Sequence, residues 1–284
     1  AGMLMGCGGS TREGLYCYAE GCFRPPLEEL AQMYEKQTGT KINMDYSGCG
    51  ELLAKIEQTQ MGDLYISHTP FLGALEKKGY LDKGRTMSVI KPVILVQKGN
   101  PMGIEGLESL VKSDADIALP DPMYSTTGHI VSRMLEKSGL KEEMQDNIKT
   151  RSPEGSGAAN AVSIGTVDAA IVWNIFATMR AEKTEPVEIE EKYQMKREED
   201  AVSTATFGKV EMDYIRVTTA TLTTSKKTEK ARDFARFMAS KKNRDVWEEH
   251  GYILPDADRP HPSLNEDTML ELEDDGSGQV AQAE

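Results

Sequence analysis

Two cysteines occupy matched positions in this chain. Cys22 follows Tyr18-Ala19-Glu20-Gly21, and Cys49 lies within Tyr46-Ser47-Gly48-Cys49-Gly50. Each Gly-Cys pair stands where an apolar run, read as a strand, gives way to a helical pattern. At such a junction free backbone N–H groups and the positive end of the helix dipole favour an anion. Gly21, Gly48 and Gly50 allow close approach of the backbone to a ligand. The thiols add a second chemistry, because thiolate is a soft ligand for copper(I), zinc or a thiophilic metalloid. A helix N-terminus also lowers a thiol pKa and so raises the thiolate fraction. Cys17, five residues before Cys22, is a candidate third sulfur, with a place in the strand's core as the competing role.

All four cysteines, Cys7, Cys17, Cys22 and Cys49, fall within the first 50 of 284 residues. A disulfide framework would be spread along the chain, so the clustering marks a site. Cys7 lies in Leu4-Met5-Gly6-Cys7-Gly8-Gly9-Ser10, which looks like a lipoprotein processing site. Lipidation of Cys7 would tether the protein to a membrane surface through residues 1–14.

The elements that position these residues alternate between strand and helix. Leu15 to Ala19 reads as a strand, and Pro25-Pro26 opens a helix carrying Leu27, Leu30, Ala31 and Tyr34 at helical spacing, which Gly39 ends. Ile42 to Tyr46 is a second strand, Leu52, Leu53 and Ile56 mark a second helix, and Leu64 to Ser67 is a third strand. This order indicates βαβ units and a parallel sheet. Val89 to Val96 reads as one strand leading into a second α/β series: Ile117 to Leu119, a helix from Gly128, another from Ala158, and Ala169 to Trp173. Ala181 to Asp200 is charge-dense and reads as a solvated helix or excursion. Tyr214 to Leu222 reads as a long strand, and Ala231, Phe234, Ala235 and Met238 form the stripe of a late helix. Beyond Pro255 the chain is acidic and reads as a tail over 256–284.

A net charge of −13 argues against nucleic acid, which needs clustered Lys and Arg. With 39% apolar and 28% charged residues a packed core is feasible, and no apolar run approaches the length of a bilayer span.

The order of these segments, together with Gly62-Asp63-Leu64-Tyr65-Ile66-Ser67, Asp121-Pro122, Gly165 to Trp173 and Gly251-Tyr252-Ile253-Leu254-Pro255, resembles the molybdate/tungstate-binding proteins of ABC importers over roughly 15–255. The resemblance implies an α/β fold, a two-lobed periplasmic-binding-protein clamshell with two crossover strands. Lobe one would comprise 15–90 with 215–255, lobe two 91–214, and the crossovers would lie near Val89–Val96 and Arg216–Leu222. It further implies a periplasmic or cell-surface monomer that hands a small inorganic ligand to an ABC permease or signals to a sensor kinase. No cofactor is expected.

In that family two serines donate to a dehydrated oxyanion, and Cys22 and Cys49 align with them. A thiol is a weak donor, so three readings stand open. The first is an oxyanion of the molybdate, tungstate or arsenate kind held mainly by backbone N–H groups. The second is a thiophilic metal or metalloid, copper or arsenite, on Cys22 and Cys49 with Cys17. The third is a Cys22–Cys49 disulfide. From lobe two the resemblance assigns Thr126, Thr127, Gly155, Ser156 and Trp173 to the cleft. His68 could enter it, although a surface or capping role is the expectation, and Met61 and Met123 could offer thioethers. His129 reads as a helix-start residue, and Arg24 as a charge beside Cys22 or a partner of Glu20 or Glu28. A cysteine-dependent enzyme with His68 as base is the competing class, but G-x-S-x-G, H-E-x-x-H and phosphate-loop motifs are absent.

Overall fold

The computed structural model describes residues 13–69, 72, 75–76, 78–195, 201–204, 208–211 and 215–254. Cys7, Tyr214, Pro255 and the 256–284 tail lie outside the described residues. Two five-stranded sheets organise the chain. Sheet one runs in the order β2 (Ile42–Ser47), β1 (Leu15–Glu20), β3 (Leu64–His68), β12 (Ile215–Leu222), β4 (Leu81–Ile90). Sheet two runs β7 (Ile148–Ser152), β6 (Ile117–Pro120), β8 (Ala169–Trp173), β5 (Pro92–Gln97), β9 (Thr184–Val187). In each, three parallel strands are followed by an antiparallel return, with β12 against β3 and β5 against β8. A separate hairpin pairs β10 (Ala201–Thr204) with β11 (Gly208–Glu211).

Central strands buried on both faces need apolar or satisfied side chains at every position. In β1, Leu15, Cys17 and Ala19 face the core with helix α1 (Arg24–Thr38), while Tyr18 packs with Leu52, Leu53 and Ile56 of helix α2 (Cys49–Thr59). The two prolines at the start of α1 lack N–H groups that would have no helical partner there anyway. Gly39, at φ 70°, closes α1 by donating its N–H to the Glu35 carbonyl at 2.8 Å. Further helices are α3 (Leu107–Lys112), α4 (Thr126–Ser138), α5 (Lys141–Met144), α6 (Gly155–Ser163), α7 (Ile175–Met179), α8 (Thr228–Ala239) and α9 (Arg244–Glu249). Among the described residues no helix is long and apolar enough to cross a membrane.

The two sheets are the centres of the two lobes of an α/β clamshell, and three details differ from the sequence reading. Val89 to Val96 is two strands, broken at Lys91, so that Ile90 pairs with Ile215 in sheet one and Pro92 with Trp173 in sheet two. Lys91 interrupts the apolar run, and Pro92, which lacks a donor, starts a strand more readily than it continues one. The second crossover is not at Arg216–Leu222, because β12 lies wholly within sheet one, paired on both sides. Among the described residues of Ala181 to Asp200 there is no α-helix, which leaves the excursion of the two readings: Thr184–Val187 is an edge strand of sheet two and a 3₁₀ turn covers Glu191–Tyr193, while 196–200 lie outside the described residues.

Asn174 braces the passage at Lys91. Its Oδ1 accepts from the Lys91 N–H at 2.9 Å, its own N–H donates to the Lys91 carbonyl at 2.9 Å, and its Nδ2 donates to the Gly251 carbonyl at 2.7 Å.

Candidate functional site

The parallel strands of sheet one finish side by side, and their last residues carry the chemistry. β1 ends in Glu20, β2 in Ser47 and β3 in His68, with β1 between the other two. A 3₁₀ turn, Gly21–Phe23, follows β1 and holds Cys22, while Cys49 is the first residue of α2. The Tyr252 hydroxyl pins that turn by donating to the Cys22 carbonyl at 3.1 Å.

Glu20 is only 4% exposed, and a buried carboxylate persists only where its oxygens are satisfied. Its Oε1 accepts from the Ser67 hydroxyl and from the His68 backbone N–H at 3.1 Å. Its Oε2 lies 3.2 Å from His68 Nε2 and 3.9 Å from Cys22 Sγ. His68, 3% exposed, places Nδ1 3.1 Å from the Thr69 carbonyl, and because a carbonyl only accepts, Nδ1 carries the hydrogen. Nε2 is thereby turned toward Glu20 and, at 4.0 Å, Cys49 Sγ. One ligand atom from each of Glu20, Cys49 and His68 lies within 4.8 Å of the other two. Ligand atoms around a tetrahedral zinc stand about 3.3–3.8 Å apart at ordinary bond lengths, so small side-chain shifts would fit one.

The thiols do not behave as their helix-start position suggested. Burial pushes the Cys22 and Cys49 pKa values well up, and the neighbouring Glu20 carboxylate pushes both further. The dipole of a helix start is outweighed by desolvation and a like charge. Cys17, Cys22 and Cys49 are free thiols, so the disulfide alternative is not the state of this structure.

Cys17 does not join the cluster. It is fully buried on the face of β1 that also carries Leu15 and Ala19, opposite in alternation to Glu20, and burial raises its pKa first, followed by Asp63. His68 corrects the expectation of a surface or capping role. Arg24 lies 3.7 Å from Glu28 and 4.4 Å over the Tyr46 ring, rather than on Glu20. Met61 and Met123 are exposed, and His129 sits in the first turn of α4.

Sheet two brings its helix starts to the same cleft. A Cβ on Gly48 would stand 3.3 Å from Glu154 Oε1, so the starts of α2 and α6 face each other. A Cβ on Gly155 would meet Phe176 Cε2 at 3.1 Å and Thr127 Oγ1 at 3.6 Å, which brings α4 and α6 together. Thr126 and Thr127 are buried, Ser125 caps α4 by accepting from the Gly128 N–H at 3.4 Å, and Ser156 Oγ turns back onto Glu154 at 3.4 Å. Trp173, last in β8, stacks edge-on to His68 with ring centroids 6.2 Å apart. Gly21 and Gly50 have open space where a Cβ would go, so no protein atom packs closely against them. Glu20 and Glu154 are site residues that sequence reasoning missed, and His68 is one that it named but ranked as a surface or capping residue. The available signal was positional, since Glu20 and His68 end parallel strands.

Comparison with known proteins places this geometry. A binding protein of Haemophilus influenzae is 27% identical over 159 residues, 56% of this chain and 65% of that protein, so the match reaches just under two thirds of the relative's length. The periplasmic molybdate-binding protein of Azotobacter vinelandii superposes with a TM-score of 0.67 at 18% identity, covering 85% of this chain and 100% of that one. Iron-bound HitA from Pseudomonas aeruginosa gives 0.62 at 15% identity, covering 89% and 90%. At these identities the structural likeness is one of fold. The family model described as bacterial extracellular solute-binding protein matches residues 15–253, and the chain belongs to that family.

Proposed function

We propose that this protein captures a small inorganic solute between its lobes for an ABC permease, and that the solute is a thiophilic metal or metalloid rather than a tetrahedral oxyanion. The observation that carries the choice is Glu20, a buried carboxylate at the centre of the cleft, beside His68 and two thiols. Proteins of this fold are named for molybdate and for iron, so the fold itself leaves the sign of the ligand open.

Magnitudes count against the oxyanion. A carboxylate about 4 Å from a ligand opposes each unit of negative charge by about 4 kcal/mol at an effective dielectric near 20. The three converging helix N-termini return typically about 0.3–1 kcal/mol each, about 1–3 kcal/mol together, which is less than the carboxylate costs. If His68 carries a second proton the pair is neutral, yet its Nε2–H is then directed at Glu20 and not at an oxyanion. The oxyanion reading keeps one observation in its favour, the convergence of the α2, α4 and α6 starts. The enzyme alternative loses support, because Glu20 raises the thiol pKa values and a nucleophilic cysteine needs the reverse.

Elemental analysis with native mass spectrometry, followed by thermal-shift titration of the metal-stripped chain, tests this. Zinc, copper(I) or arsenite should raise Tm, and molybdate, tungstate, sulfate, phosphate and arsenate should not. A shift with oxyanions alone would reverse the assignment.

A further inference from the structure

Resting on the thiophilic reading, we infer that the solute is a divalent cation of the zinc type, held on lobe one by Glu20 Oε2, His68 Nε2 and the Cys49 thiolate, with the Cys22 thiolate as fourth ligand. The donor set selects among soft ions. Copper(I) and arsenite are served by sulfur alone, whereas carboxylate, imidazole and thiolate together suit a borderline divalent ion in a tetrahedral site. The separations, 3.2 Å from Oε2 to Nε2 and 4.0 Å from Nε2 to the Cys49 sulfur, bracket the edge of such a tetrahedron. Cys22 Sγ, 3.9 Å from the same Oε2, lies outside the set of mutually close ligand atoms and would have to turn in to complete the tetrahedron.

A second, independent feature points the same way. Zinc-bound histidine generally donates its other N–H to a carbonyl or carboxylate, and a ligating carboxylate is itself hydrogen-bonded. Both outer partners are already built. Nδ1 of His68 is committed to the Thr69 carbonyl at 3.1 Å, and Oε1 of Glu20 is saturated by Ser67 and the His68 N–H, which leaves Nε2 and Oε2 facing each other at 3.2 Å with the Cys49 sulfur beside them. A core ion pair needs no such division of labour within each side chain. Binding releases the two thiol protons to solvent, so the net charge of the site barely changes.

The test uses the full chain, stripped with a chelator and titrated with zinc against a chromophoric competitor, then with cobalt(II). One zinc per chain is expected, with tetrahedral cobalt absorption and thiolate-to-cobalt charge transfer that falls by about half in Cys22→Ser. Glu20→Gln and Cys49→Ser, both close in shape to the native residues, should weaken zinc by more than the roughly 10–100-fold that outer partners carry, and Ser67→Ala by about tenfold. Melting the metal-free variants separates lost binding from lost folding, and Cys17→Ala should bind zinc normally. Copper(I) or arsenite binding without zinc would overturn this inference and leave the thiophilic reading standing. Molybdate binding without any thiophilic ligand would overturn both. Zinc that binds equally well to Glu20→Gln and Cys49→Ser would place the metal elsewhere and end the assignment.

Discussion

The carboxyl ends of the two sheets invite direct comparison, because both are three parallel strands in the same order with an antiparallel return. Sheet one finishes in Glu20, Ser47 and His68, with thiols at the following turn and helix. Sheet two finishes in Pro120, Ser152 and Trp173, and its following helices begin with Thr126 and Gly155. One end is a knot of acid, base and sulfur, and the other is hydroxyl, glycine and an aromatic wall. The topology selects the place where a ligand can sit. The side chains at that place select its charge, and here they do so almost entirely from one lobe.

The largest expected effect comes from erasing the difference. Glu20→Ser with Cys22→Ser and Cys49→Ser gives sheet one the hydroxyl chemistry of sheet two. At a hundredfold excess over Kd a ligand stabilises by about 2.7 kcal/mol, and that zinc-linked gain should vanish in the triple variant while a molybdate-linked gain appears. Thermal shifts with both ligands read this, and a variant still stabilised by zinc would break the comparison. Next, Gly128→Ala strikes lobe two alone. Its Cβ would lie 2.5 Å from the Asp121 carbonyl carbon, so backbone must move, at about 1–3 kcal/mol in a urea melt. Zinc affinity should stay within about threefold, because no proposed ligand sits there.

Asn174→Ala should cost about 1–3 kcal/mol through the lost bonds to Lys91 and Gly251. Chemical denaturation reads that cost, and no change would mean that the passage between the lobes is braced elsewhere. The smallest effect is kinetic. Raised pKa values keep the Cys22 and Cys49 thiols protonated at neutral pH, so alkylation should be slow at pH 7 and accelerate only in strongly alkaline solution. Removing the charge in Glu20→Gln lowers those pKa values and should speed alkylation a few-fold at fixed pH. Slower alkylation in that variant would mean that Glu20 does not govern the thiols.

Local signals carried much of this molecule into view. Pro25-Pro26, the Leu27/Leu30/Ala31/Tyr34 stripe and Gly39 specify α1 from within a few residues, and the repeated Gly-Cys located both loops of the cleft. What stayed hidden depends on distant partners. Glu20 reads as a surface acid until Ser67, 47 residues away, donates to it, and His68 reads as a strand-end residue until Glu20 and Trp173 enclose it. The break at Lys91 was hidden for a related reason. Val89 to Val96 is apolar but for Lys91 and reads as one strand, which pairing to two different sheets divides.

The single residue between β4 and β5 has a mechanical consequence. A joint one residue long, pinned by Asn174, leaves little room for sliding at this connection, so relative motion of the lobes here would be a swing about it. In a swing, displacement grows with distance from the pivot. Trp173 pairs with Pro92 and adjoins Asn174, so it sits almost on that axis. The indole would therefore stay beside His68 through most of such an arc, and the proposed metal corner would keep one apolar wall.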